Sequence, residues 1–160
     1  MNQFEIIIDS REKSYQHIIK YFDLKSIPWK KQVLKSGDYG CIINGALQPI
    51  IIERKSGLNE LAGNFTKGRK RFEQEFERAS NVDKILLVEN STYADIINHN
   101  YTSKMYPKAL LASLLSFQFR FNLHIYFMPR ENVGQFIYYS FYYYYHDLLK
   151  MERKGRENFE

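Results

Sequence analysis

A chain of 160 residues holds one hydrophobic core and leaves too little sequence for a second. With 44% hydrophobic and 16% aromatic residues it carries too much apolar surface for a disordered chain, yet no uncharged apolar run is long enough to span a bilayer. Lys and Arg exceed Asp and Glu to give a net charge of +5, which suits a polyanionic partner. The opening Met-Asn-Gln-Phe lacks the basic then apolar pattern of a signal peptide. Cys41, the single cysteine, cannot form an intramolecular disulfide, so a reducing, intracellular setting is expected.

In chain order, Phe4 to Asp9 (FEIIID) reads as a short buried strand stopped by Asp9-Ser10. Ser14 to Leu24 reads as a helix, because Tyr15, Ile18, Ile19 and Phe22 fall on one stripe. Trp29 to Leu34 is a predicted strand, punctuated by Ser36-Gly37-Asp38. Tyr39 to Ile43 and Ile50 to Arg54 follow as two strands of a hairpin turning at Asn44-Gly45, so that three antiparallel strands are expected in succession. Leu58 to Phe65 is a short helical segment, and Thr66 is the expected cap of a longer helix through Ala79, with Phe72 and Phe76 at i,i+4 and Arg69 pairing with Glu73 on the outer face. Lys84 to Val88 is a buried strand, Tyr93 to Ile97 a short helix, and Pro107 to Phe119 a helix opened by proline. Leu123 to Met128 is the last strand. A helix over Asn132 to Lys150 completes a domain at 1–150, and residues 151–160 form a polar tail expected to fray. The succession implies an α/β fold, a mixed central sheet flanked by helices. There is no internal repeat and no glycine-rich phosphate loop, which argues against an ATP-driven role.

The chemistry concentrates on the hairpin. Asp38 stands at its start, and Glu53 and Lys55 at the end of its second strand, where alternation puts both on one face and Arg54 on the other. Hydrolysis of a phosphodiester needs a hard cation held by oxygens, an acidified water and a positive group near the developing charge. Two carboxylates and a lysine meet those needs. A bare Asp, Glu-x-Lys spacing is common by chance; here Glu53 follows Ile50-Ile51-Ile52, where a strand leaves the core.

Ser36-Gly37-Asp38-Tyr39 followed by Ile52-Glu53-Arg54-Lys55-Ser56 resembles the Gly-Asp…Glu-Arg-Lys-x-x-x-Asp signature of the XPF-type nucleases. Upstream, Asp9-Ser10-Arg11-Glu12 resembles the Asp-x-Arg-Glu segment that ends the first strand in that family. The resemblance implies a restriction-endonuclease-like mixed sheet flanked by helices and a DNA endonuclease dependent on magnesium or manganese, acting on branched, flap or single-strand junction DNA in repair or recombination. It implies a metal site at Asp38 and Glu53 with Glu12 as a third carboxylate, Asp9 in support, Lys55 positioning the attacking water and Arg54 organising the site or the phosphate. The last Asp of the signature falls on Asn59, an amide without charge, and the adjacent Glu60 would need a backbone shift to replace it. That departure keeps open the alternative of a weak or inactive DNA-binding partner subunit. The helix-hairpin-helix modules of larger relatives have no counterpart in these residues.

Lys67, Arg69, Lys70 and Arg71 form a basic cluster that suits either phosphate contact or a solvated helix face. His17, His99, His124 and His146 are scattered without ligand spacing, and Cys41 lies in a strand as a small buried residue. The run Tyr138 to Tyr145 (YYSFYYYY) surrounds its helix with rings that one core cannot bury. Base stacking and subunit packing both fit, and a homodimer through this helix is the expectation.

Overall fold

A computed structural model of the chain describes residues 4–157. Its centre is a seven-stranded sheet in the order β2-β1-β3-β5-β6-β7, with the short β4 attached to β3. The strands are β1 (Phe4–Asp9), β2 (Trp29–Gln32), β3 (Tyr39–Ile43), β4 (Ala46–Leu47), β5 (Ile50–Lys55), β6 (Asp83–Glu89) and β7 (Leu123–Met128). β5, β6 and β7 run parallel, and β3 is antiparallel to both β1 and β5. The fold is a mixed α/β sheet flanked by helices.

Two departures from the sequence expectation concern strand pairing. β2 is an edge strand parallel to β1, with Ile6 opposite Trp29, and it does not neighbour β3. The helix between β1 and β2 makes a crossover, and a crossover returns a strand parallel to its predecessor. The Asn44-Gly45 turn, with φ of 51° and 82°, is a two-residue hairpin turn as its residues demand, but it joins β3 to β4, pairing Ile43 with Ala46. β5 reaches β3 at the other end, through Tyr39 and Ile52.

Six helices cover the sheet. α1 (Gln16–Leu24) and α6 (Val133–Glu157) lie on one face, where Ile18, Phe22, Val133, Ile137 and Phe141 pack on Ile6, Ile8, Ile52 and Leu87. Gly134 permits their close approach: a Cβ there would stand 2.8 Å from Tyr21 Cβ. α2 (Leu58–Phe65), α3 (Arg69–Arg78), α4 (Tyr93–Ile97) and α5 (Pro107–Phe121) cover the other face, burying Leu61, Phe72, Phe76 and Phe117 against Leu86 and Val88. Phe72 and Phe117 stack with centroids 5.3 Å apart, tying α3 to α5.

Helix ends moved as well. Thr66 does not open α3; its Oγ1 donates to the Ala62 carbonyl at 2.9 Å, finishing α2, and α3 starts at Arg69. α6 continues through the stretch expected to fray as far as Glu157, carried by helix-favouring Met151, Glu152, Arg153 and Lys154. The last three residues of that tail lie outside the described residues. Among the described residues no helix is long and apolar enough to cross a membrane.

Candidate active site

β5 is buried along its whole length, and its pleat separates two sets of polar groups. Glu53 and Lys55 point to the α2/α3 face, and Lys55 Nζ donates to Glu53 Oε1 at 2.7 Å while lying 4.8 Å from the centre of the Phe72 ring. Glu53 Oε2 is buried with no hydrogen-bond partner among the described residues. Asp38 is held from both sides by backbone: its N–H donates to the Ile52 carbonyl at 2.9 Å and its carbonyl accepts from the Asp9 N–H at 2.8 Å. The Arg54 N–H donates to Asp38 Oδ2 at 2.8 Å, so the strand that carries Glu53 also orients the Asp38 carboxylate. Gly37, at φ +77°, makes the preceding turn possible, since a Cβ there would stand 2.8 Å from Ile51 Cβ.

Burial raises both carboxylates. Asp38 lies well above the usual carboxylate range, first through desolvation and then through the charges of Glu53 and Glu12. Glu53 is pushed up to about 7 by burial, against the opposing pull of Lys55. Burial also works against the Lys55 charge, but the Glu53 carboxylate outweighs it and holds the ammonium protonated. Asp9 goes the other way: burial would raise it, yet bonds from the Arg11 side chain and the Leu34 and Arg11 N–H groups bring it below its ordinary value. Asp9 is therefore a tether for the segment ahead of β3, with Leu34 N–H at 2.7 Å.

These groups open into a cavity of about 640 Å³ whose lining includes Asp38, Glu53 and Lys55, Glu60 and Asn64 of α2, and Arg71, Glu75 and Arg78 of α3. Arg71, Glu75 and Arg78 recur at i, i+4 and i+7 on α3, beside the core face of Phe72 and Phe76. The sequence reading had Arg71 only as part of a basic cluster and missed Glu75 and Arg78; their helical spacing beside the two buried phenylalanines was the available signal. Arg11, with its Asp9 pair, lines the same cavity and is largely exposed.

Several expected roles look different in the geometry. Glu12, expected as a third carboxylate, gives both oxygens to the Arg54 guanidinium at 3.0 Å each, so it is the counter-ion of Arg54. Arg54 is further engaged by the Lys13 carbonyl at 2.8 Å and by Glu89, whose Oε1 lies 3.2 Å from Nη1 and 2.6 Å from His17 Nε2. Glu89 and this role of His17 were not read from the sequence. Asn59 points away from the cavity, its Oδ1 accepting from the Thr102 and Ser103 N–H groups at 2.9 Å. Glu60 lines the cavity without any displacement of the helix, accepting from Ser56 N–H at 2.7 Å and standing 3.9 Å from Lys55 Nζ. The basic cluster divides: Lys67 and Lys70 are exposed, Arg71 faces the cavity, and Arg69 is tied to Ser113 Oγ at 3.0 Å and to Glu73 at 3.4 Å.

A hard divalent cation suits this donor set. Glu53 keeps one buried oxygen without a partner, Asp38 is bonded through one oxygen, and magnesium commonly takes one or two carboxylates and completes its shell with water and substrate phosphate. Among the described residues no three acidic, histidine or cysteine side chains come together as a group that could hold a metal ion.

No curated protein matches the sequence. Among solved structures, XPF from Aeropyrum pernix superposes with a TM-score of 0.62 at 18% identity, covering 82% of this chain and 62% of that one, a likeness of fold. The chain thus spans less than two thirds of that relative. Residues 8–139 match the ERCC4 domain, a stretch that includes β3, β5 and every residue of the cavity just described. The chain belongs to the ERCC4 domain family, with a fold like that of XPF from Aeropyrum pernix.

Proposed function

We propose that the protein is a divalent-metal-dependent DNA endonuclease that hydrolyses phosphodiester bonds at branched, flap or single-strand junction DNA. One observation carries the reading: Glu53 is buried with one oxygen on Lys55 and the other without a partner among the described residues, beside a second raised carboxylate at Asp38, on the wall of an open cavity. Burying two like charges costs stability, and such pairs are kept where chemistry uses them.

Asp38 and Glu53 would hold the ion, Mg²⁺ or Mn²⁺, which supplies Lewis-acid charge at the phosphoryl oxygens and a more acidic attacking water. Lys55 Nζ, fixed by Glu53 Oε1 and packed on Phe72, sets a positive charge where the phosphate gains negative charge. Arg54 acts through its backbone on Asp38, and Glu12 and Glu89 keep its side chain in place. Arg11 and Arg71, which line the same cavity, contact phosphates of the bound strand. Repair or recombination of DNA is the setting such an activity serves. A homodimer through the tyrosine-rich stretch of α6 completes the proposal, because Tyr139 and Tyr143 are exposed although the helix buries Ile137 and Phe141.

The test is incubation of labelled duplex, flap, fork and single-stranded DNA with magnesium, with manganese and with chelator. Metal-dependent cutting that favours the junction substrates is expected. Salt-dependent binding without metal-dependent cutting would replace this reading with that of a DNA-binding partner subunit.

A further inference from the structure

Next to the active cavity lies a second groove of about 360 Å³, within the range of small-ligand sites. The two are separated by the Ser36-Gly37-Asp38 turn, which rests on Ile51: Ser36 lines the groove, and Gly37 and Asp38 line the cavity. Arg78 lines both. The floor of the groove is aliphatic, formed by Leu34, Pro49, Ile51 and Val82. Its only charged lining residues are Lys35 and Arg78, both exposed and neither in a hydrogen bond or ion pair among the described residues. On its rim Ser80 and Asn81 likewise spend no side-chain bond on protein, and Gln48 uses only its amide nitrogen, donating to the Ala46 carbonyl. Leu34 is fixed to the active cavity, its N–H on Asp9 and its carbonyl on Arg11 at 2.8 Å.

We infer that this groove is a nucleotide subsite, taking one unstacked base of the strand next to the scissile phosphate. The inference rests on the nuclease reading above and names the part of the substrate that lies beyond the cut. An apolar slot lined by free hydrogen-bonding groups accepts a base removed from its stack, as the pockets of base-extruding enzymes do. Two cations at its rim, and no anion, suit the phosphates on either side of that base. Because Arg78 bounds both spaces, the strand passes from cavity to groove without leaving contact with positive charge. A site of this kind needs a strand free to unstack, so it selects single-stranded or junction DNA over intact duplex.

The test is binding of a fluorescent flap oligonucleotide in chelator, with one abasic residue walked through each position flanking the cut. Wild-type protein should lose affinity by about fivefold or more at one position on one side of the cut, the low end of a single base contact, and little elsewhere. Asn81→Trp and Leu47→Trp, at two exposed residues of the groove lining, should bind normal DNA as weakly as the wild type binds that abasic strand. They should also show no further loss with the abasic strand. Normal DNA binding with a flat abasic profile, or a profile that folded tryptophan variants leave unchanged, would overturn the subsite and leave the nuclease reading intact. Absence of DNA binding by the wild-type protein would overturn both.

Discussion

Removing divalent metal should make the protein less stable as pH rises from 5 to 8, and restoring it should reverse the loss. Glu53 carries a carboxyl raised from an ordinary 4.5 to about 7 in the fold, so the native state binds the proton more tightly than the unfolded chain does. The stability linked to it is complete below the unfolded value and is lost as pH rises through the folded one. At about 1.4 kcal/mol per pKa unit the difference amounts to about 3 kcal/mol, or roughly 6–12 °C in Tm for a domain of this size. Asp38 is raised by the same burial and adds in the same direction. Asp9 is lowered, so its contribution is lost only as pH falls through the acid range, below the window. Saturating magnesium, which needs both carboxylates ionised, should return about 3 kcal/mol at 100 times its Kd. Thermal melts at pH 5, 6, 7 and 8, each in chelator and in saturating magnesium, test this directly. A metal-free Tm that stays flat or rises from pH 5 to 8, or a magnesium effect as large at pH 5 as at pH 8, would refute the reasoning.

Four further outcomes are expected. Asp38→Ala or Glu53→Ala should abolish cleavage with most DNA affinity retained in binding assays, and Lys55→Ala should cut the single-turnover rate about a hundredfold or more, as for loss of one charge-stabilising donor. Glu60→Gln should shift the magnesium dependence of cleavage whereas Asn59→Asp should not, because Glu60 lines the cavity and Asn59 is bound to the Thr102 and Ser103 amides; the opposite ranking would return Asn59 to the site. Reversing Lys67 and Lys70 to Glu should flatten the salt dependence of DNA binding with unchanged Tm, while Arg69→Ala should lower the Tm, through its ties to Ser113 and Glu73. Sedimentation at micromolar protein should give a dimer that Tyr139→Glu with Tyr143→Glu dissociates, and a wild-type monomer of 19.2 kDa would end that proposal.

The sheet was legible because its signals are local. Ile6, Ile8, Ile50 and Ile52 advertise buried strands by their β-branched runs, Asn44-Gly45 dictates its turn, and the period of two puts Glu53 and Lys55 together from the letters alone. Pairing between strands is not local, which is why β2 was expected beside β3 and is found beyond β1. The candidate site divides along the same line. Asp38, Glu53 and Lys55 converge because backbone bonds of one short segment bring them together. Glu12, which the family resemblance implied as a third carboxylate, and Arg69, read as part of a basic cluster, are engaged by partners distant in the chain, Arg54 for one and Ser113 for the other, which local spacing does not reveal. Thr66 was misread because a threonine between two helices can finish the first as readily as begin the second; here its hydroxyl bonds back to the Ala62 carbonyl and α3 begins at Arg69.

The bond from the residue 54 amide to Asp38 has a consequence for how this protein can be dissected. It belongs to the main chain, so replacing the Arg54 side chain by any residue other than proline leaves its donor in place. A saturation scan of position 54 would therefore report on the guanidinium's salt links to Glu12 and Glu89 and stay silent about the aspartate's alignment. Only chemistry aimed at the backbone itself, such as exchanging that one amide for an ester during synthesis, separates the two contributions.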